Sequence, residues 1–178
     1  MGHLAFVTGP VRSGKSRFAL ALARSRGEAG VYLATYRADP EDAEMAERIR
    51  RHRAERPATW RTLEAPPVLH AALERLAPPP EVVLLDALGL WLADRLAQPD
   101  EALLAAWNRE LDAFRAAPWA TVVVGDEIGW SPVPPDPLLR RYRDLAGWLG
   151  QATAAAADEA WLCVAGCPLP LKPAGSRP

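Results

Sequence analysis

Lysine is almost missing from this chain. Of 21 basic side chains, only Lys15 and Lys172 are lysines, and the rest are arginines. Cysteine is as scarce. Cys163 and Cys167 have no second pair and no histidine beside them, which argues against a zinc site and leaves free thiols. Cys163 falls in an apolar run and is expected to be buried. No apolar run approaches the length that spans a bilayer. A net charge of −1 gives no broad pull toward nucleic acid or an anionic surface. The interleaving of basic and aromatic residues found in nucleic-acid modules is missing too. The chain enters its first apolar run almost at once, so no leader segment is expected. These absences predict a cytoplasmic protein with no nucleic-acid partner and no membrane span. With 178 residues, 49% of them hydrophobic, the chain can bury one real core.

Against this background one octapeptide stands out: Gly9-Pro10-Val11-Arg12-Ser13-Gly14-Lys15-Ser16. It matches the phosphate-cradling pattern G-x-x-x-x-G-K-[ST] at every fixed position. The apolar run Leu4 to Thr8 leads in, and a helical pattern from Arg17 to Arg24 leads out. In such a loop successive backbone N–H groups turn inward around a phosphate. The following helix adds its free N–H groups and positive dipole end. Lys15 would reach the outer phosphates and the Ser16 hydroxyl would ligate magnesium. A composition so biased toward arginine still keeps a lysine here. A compact ammonium fits among phosphates and carbonyls where a planar guanidinium would crowd.

Apolar runs at Leu4–Thr8, Val31–Ala34, Val82–Asp86, Thr121–Gly125 and Ala160–Ala165 read as buried strands. They are nearly continuous in apolar character, as parallel strands covered on both faces are. Helical patterns cover Lys15–Ser25, Glu41–Arg56, Val68–Leu76, Leu88–Leu96, Asp100–Ala117 and Pro137–Ala157. The alternation predicts an α/β protein, a three-layer P-loop nucleotide-binding fold with a mainly parallel sheet. Residues 1–172 are expected to form its single domain. The Pro- and Gly-rich stretch from Pro168 onward is expected to fray, with residues 173–178 as a flexible tail. Ligands of this architecture bind beyond the carboxyl ends of the strands. That gathers the loop, Ala34-Thr35, Asp86 and Asp126-Glu127 at one edge.

Asp86 ends an apolar run, as a second metal- or water-holding acid does beside a phosphate loop. Ser16 and Asp86 are therefore the expected magnesium ligands, with helix capping as the alternative role for Asp86. Asp126-Glu127 end another run. They could hold magnesium or orient a substrate hydroxyl, and turn chemistry explains them equally well. His52 shares a stripe with Met45 and Ile49 and is surrounded by Arg48, Arg50, Arg51, Arg53 and Arg56. Nearby cations favour the neutral, nucleophilic imidazole. A histidine packed at the edge of a basic helix fits the same spacing. His3 reads as packing at a strand start, and His70 as lying on an ordinary helix.

These blocks together resemble the bifunctional adenosylcobinamide kinase / adenosylcobinamide-phosphate guanylyltransferase family of cobalamin biosynthesis. The resemblance runs from Leu4 to Lys172. It includes Thr8 to Ser16, Tyr32-Leu33-Ala34-Thr35, Glu44 to Arg53 and Arg56-Pro57 with Trp60 to Glu64. It continues with Leu85-Asp86-Ala87-Leu88, Glu127-Ile128-Gly129, Arg141 to Gly147 and Ala155 to Glu159. The resemblance implies two reactions. A nucleoside triphosphate, ATP or GTP, phosphorylates the aminopropanol hydroxyl of adenosylcobinamide. GTP then yields a GMP–histidine intermediate, and the GMP passes to the substrate phosphate to give adenosylcobinamide-GDP. The family's nucleophile falls on His52. Its nucleotide contacts fall on Gly9, Pro10, Val11, Arg12, Ser13, Gly14, Lys15, Ser16, Ala34, Thr35 and Tyr36. Others fall on Arg53, Ala54, Glu55, Arg56, Glu64 and Asp86. A corrinoid substrate, magnesium and a homotrimer are implied as well. The chain departs from the family pattern at Asp126 and Gly150, where asparagine is common, and at Asp86, where some members carry glutamate.

A P-loop also serves nucleotide-dependent switches and ATPase modules. These commonly need a partner surface and γ-phosphate-sensing loops. A covalently labelled His52 would separate the two readings.

Overall fold

The computed structural model describes residues 2–35, 47, 50, 53 and 56–172. Seven strands form one sheet: β1 (Leu4–Gly9), β2 (Gly30–Ala34), β3 (Arg61–Glu64), β4 (Val82–Asp86), β5 (Ala120–Asp126), β6 (Glu159–Val164) and β7 (Cys167–Lys172). Their order across the sheet is β3-β2-β4-β5-β1-β6-β7. Every pairing is parallel except the β6–β7 hairpin. The parallel strands need helical crossovers, and these supply the two outer layers.

Side chains alternate between the faces of β1. Ala5 and Val7 pack with Ala19 and Ala23 of helix α1 (Lys15–Arg24) on one face. Leu4 and Phe6 join the larger core on the other. That core is covered by α2 (Leu69–Glu74), α3 (Leu88–Ala93), α4 (Asp100–Ala116) and α5 (Pro137–Ala156). The expected three-layer α/β architecture with a mainly parallel sheet is therefore present. Local chemistry sets the helix starts. Asp136 accepts the amides of Leu138 and Leu139 at the head of α5, with Pro137 in its first turn. The head of α2 is capped from another helix: buried Glu110 of α4 accepts the amides of Leu69 and His70. His70 is thus not an idle helix residue, since its Nδ1 also meets Glu110 at 2.8 Å. Fully buried Trp107 ties α4 to α5 by donating to Thr153 Oγ1 at 2.9 Å.

Two strands escaped the sequence reading. β3 alternates half-buried and exposed residues because it lies at the sheet edge, so it shows no apolar run. The expected fraying from Pro168 is wrong as far as Lys172. Residues Cys167–Lys172 form the opposite edge strand, with Pro168 across from Cys163 and Pro170 across from Trp161. Proline lacks a ladder donor, and an edge strand tolerates that loss. Cys163 is buried as expected, and burial raises its thiol pKa while the Lys15 charge opposes this. Cys167 is exposed, and the two thiols are free.

Candidate functional site

The octapeptide begins at the last residue of β1 and ends in the first turn of α1, as its flanking patterns required. Gly14 sits at the helix N-cap with φ of 88°, in the left-handed region that glycine enters without strain. It also has a close neighbour. A Cβ on Gly14 would lie 3.2 Å from Gly166 Cα, in the turn between β6 and β7. The Gly166 amide donates to Ser13 O at 2.9 Å. The turn of the β6–β7 hairpin therefore braces the phosphate loop. The Ser13 hydroxyl is buried without a hydrogen-bond partner among the described residues. A buried polar atom left open inside an anion cradle suits a ligand that brings its own oxygens.

Lys15 is 7% exposed. Its ammonium sits 2.8 Å from Asp126 Oδ1 at the tip of β5 and 3.4 Å from the carbonyl of Pro10. The adjacent acids Asp126 and Glu127 thus divide their roles. Asp126 faces the loop lysine, whereas Glu127 accepts the Gly129 amide at 2.7 Å, which is turn chemistry. The Glu127 amide in turn donates to Gly9 O at 3.0 Å and locks the tip of β5 to the loop.

Asp86 ends β4 and accepts a hydrogen bond from the hydroxyl of Tyr32 on β2. The helix-cap alternative for Asp86 does not hold, because the N-cap position of α3 falls on Ala87. Burial, reinforced by the negative Asp86, pushes the Tyr32 pKa far above its ordinary value and keeps it a donor. Arg56 stacks over the Tyr32 ring at 3.8 Å. Tyr32 was not among the expected site residues. Its sequence signals are its place in the block Tyr32-Leu33-Ala34-Thr35 and a polar tip in a buried strand, which the sheet order sets three steps from the loop strand β1. Thr35, an expected nucleotide contact, is buried at 2% and engaged structurally: its hydroxyl donates to Ala87 O and accepts the Ala87 amide. Arg53 pairs with Glu64 at the end of β3. The sheet order puts β3 four steps from β1, so at ~4.8 Å per step Glu64 stands roughly 19 Å from Gly9 along the carboxyl edge. The expected contacts therefore form two groups, one at the loop and one at the far edge. His52, Tyr36, Ala54 and Glu55 lie outside the described residues.

Ser16, in the first turn of α1, and Asp86, at the end of β4, are the residues expected to hold a divalent cation. No cluster of three or more His, Cys, Asp or Glu occurs among the described residues.

A cavity of about 340 Å³ opens beyond β1 and β5, between α3, α5 and β7. Asp126 borders it and the loop alike. Tyr142 on α5 reaches in and donates to Gly89 O at 3.2 Å. Burial and, after it, the charge of Asp126 raise the Tyr142 pKa. Both positions that depart from the expected asparagine, Asp126 and Gly150, line this one cavity. No described helix is long and apolar enough to cross a membrane.

Comparison with known proteins follows the same lines. The family model for cobinamide kinase / cobinamide phosphate guanyltransferase matches residues 5–171. The bifunctional adenosylcobalamin biosynthesis protein CobP of Pseudomonas aeruginosa is 44% identical over 168 residues, covering 93% of this chain and 95% of its own. The CobU protein of Escherichia coli is 39% identical, with 93% and 98% covered, and that of Salmonella typhimurium 36% with the same coverage. A solved KaiC-like protein from Pyrococcus horikoshii shares the fold at a TM-score of 0.54 and 16% identity, over 90% of this chain and 70% of that one. Matched from the first strand to the last, the chain belongs to the cobinamide kinase / cobinamide phosphate guanyltransferase family, with both the kinase and the guanylyltransferase activity that serve adenosylcobalamin biosynthesis.

Proposed function

We propose that both reactions draw on a nucleoside triphosphate held by Gly9 to Ser16. In the first, ATP or GTP gives its γ-phosphoryl group to the aminopropanol hydroxyl of adenosylcobinamide. In the second, the His52 imidazole attacks the α-phosphorus of GTP. Pyrophosphate leaves, and the histidine-bound GMP passes to the phosphate made in the first step, giving adenosylcobinamide-GDP. Phosphoryl and nucleotidyl transfer need little covalent help from a protein, and mostly need charge placed where phosphate oxygens gather. The observation that carries the reading is the buried Lys15 ammonium at the head of α1, held 2.8 Å from Asp126. A ligand phosphate would take over that ammonium.

Magnesium would be held by Ser16 and Asp86 and would neutralise the triphosphate. Ala34, Thr35, Tyr36, Arg53, Ala54, Glu55, Arg56 and Glu64 would serve the nucleotide at the β2–β3 side. The Arg53–Glu64 pair and the stacking of Arg56 on Tyr32 support this. Exposed Trp130, Val133, Leu138, Leu139 and Trp148 offer apolar surface for the homotrimer carried over from the family resemblance. The protein would act in the cytoplasm.

The experiment is intact mass after incubation with GTP and magnesium. One GMP per chain should appear, stable to alkali and lost in acid. His52→Ala should lose the label and guanylyl transfer yet still phosphorylate adenosylcobinamide. A label that persists on folded His52→Ala protein would refute the assignment. So would joint loss of both activities in a folded His52→Ala protein.

A further inference from the structure

The cavity beside the phosphate loop has a built character. Its walls carry Phe6, Leu88 and Leu92, and Thr8, Asp126 and Tyr142 are among the polar groups that line it. Gly89 shows how close these groups stand. A Cβ there would lie 2.8 Å from Tyr142 Oη and 3.2 Å from Asp126 Oδ2. Asp126 is the hinge of the argument, because its other carboxylate oxygen touches the loop lysine. A group that reaches Asp126 from the cavity arrives beside the outer phosphates of a nucleotide in the loop.

Charge selects the occupant. Arg143, the cation lining the cavity, is tied to the carbonyls of Pro132 and Gly129. The remaining charged side chains of the lining are the acids Asp126 and Glu127. An anion there meets one engaged guanidinium against two carboxylates, whereas a neutral hydroxyl donor meets open acceptor oxygens. Volume selects as well. About 340 Å³ is at the low end of pockets that bury a drug-sized ligand. A corrin ring with its substituents exceeds that, whereas one amide-linked arm does not.

We propose that this cavity is the acceptor site of the kinase reaction. It takes a neutral, amide-linked arm ending in an alcohol, with the hydroxyl on Asp126 and the macrocycle outside. The inference rests on the phosphoryl transfer proposed above. When a triphosphate draws Lys15 away, the Asp126 carboxylate is free to accept the hydroxyl. The alcohol oxygen bonds to the γ-phosphorus as the bond to the β–γ bridging oxygen breaks, and the nucleoside diphosphate leaves with that electron pair. The hydroxyl proton leaves late, through Asp126 to water. The product is an anion facing two carboxylates, which favours its release toward the second reaction.

Gly150 supplies the test. It lines the cavity, and a Cβ on it would meet only Phe6 Cζ at 4.0 Å, so a side chain there has open space. Gly150→Phe should raise the KM for cobinamide phosphorylation by about tenfold or more, because steric filling rejects the acceptor. Gly150→Ala should raise that KM far less than Gly150→Phe does, since it adds one methyl group to open space. In both variants the dissociation constant for ATP should match the wild type, which also reports that the fold is intact. A wild-type KM in Gly150→Phe overturns the acceptor site and leaves the functional reading standing. Equal loss of nucleotide and acceptor affinity in a folded Gly150→Phe protein also overturns it. A wild-type protein that neither phosphorylates cobinamide nor takes a GMP label refutes the functional reading itself.

Discussion

Replacing Lys15 with methionine keeps the stem and removes the charge. Two separate losses follow, and they can be measured apart. The catalytic loss comes from the ammonium that would balance the outer phosphates. A preorganised group aimed at developing charge contributes about 3–4 kcal/mol, so kcat/KM for cobinamide phosphorylation should fall by about 10²–10³. The GTP-dependent mass gain should be lost with it, since both reactions are assigned to the same loop. The structural loss comes from Asp126, left without its partner at 2.8 Å. A fully buried pair broken this way costs about 3–5 kcal/mol. Here the lysine side chain is 8% exposed but Asp126 is 28% exposed, and water can solvate the orphaned carboxylate. A cost of about 1–2 kcal/mol is the fair expectation, or roughly 2–8 °C in Tm for a chain of this size. The double variant Lys15→Met/Asp126→Asn removes the orphaned charge. It should recover most of the lost Tm and none of the lost activity. Thermal unfolding and steady-state kinetics on the three proteins decide the matter. Lys15→Met working within about threefold of wild type would refute the placement of the phosphates. Recovery of activity in the double variant would show that Lys15 matters only as the partner of Asp126.

The legible parts of this protein were those whose signal is local. The phosphate loop is eight consecutive residues, and the central strands β1, β2, β4 and β5 are covered on both faces, so each shows an unbroken apolar run. The edge strands were hidden by the same logic. Arg61-Thr62-Leu63-Glu64 buries little, and Pro168 and Pro170 read as breakers because propensity says nothing about which edge of a sheet is free. The site was half legible for a related reason. Asp86 and Asp126 both advertise themselves as acids at strand tips. That one binds Tyr32 and the other Lys15 follows from strand order, which no local pattern carries. Gly150 in sequence is only a weak point in a helix. It becomes an opening when α5 is packed over Phe6.

Two further outcomes are expected. EDTA should stop phosphoryl transfer and magnesium restore it, and Asp86→Ala should raise the magnesium concentration needed; unchanged magnesium dependence in that variant would remove Asp86 from the metal. The last expectation concerns Glu159, far from the chemistry at the amino end of β6. Burial alone would raise its carboxyl pKa, but hydrogen bonds from His3 at 2.9 Å and Trp161 at 3.0 Å, with the Arg26 charge, outweigh it and hold the value below normal. A carboxyl depressed on folding contributes stability above its unfolded pKa of about 4.3 and loses it as pH falls through the lower folded value. Glu159→Gln should therefore lower Tm most at neutral pH, by the few degrees that about 1–3 kcal/mol implies, and the gap to wild type should close as pH drops below about 4. Unfolding followed by circular dichroism from pH 7 to pH 3 reads this directly. A gap that stays constant over that range would mean that Glu159 acts by shape, and that its charge contributes nothing.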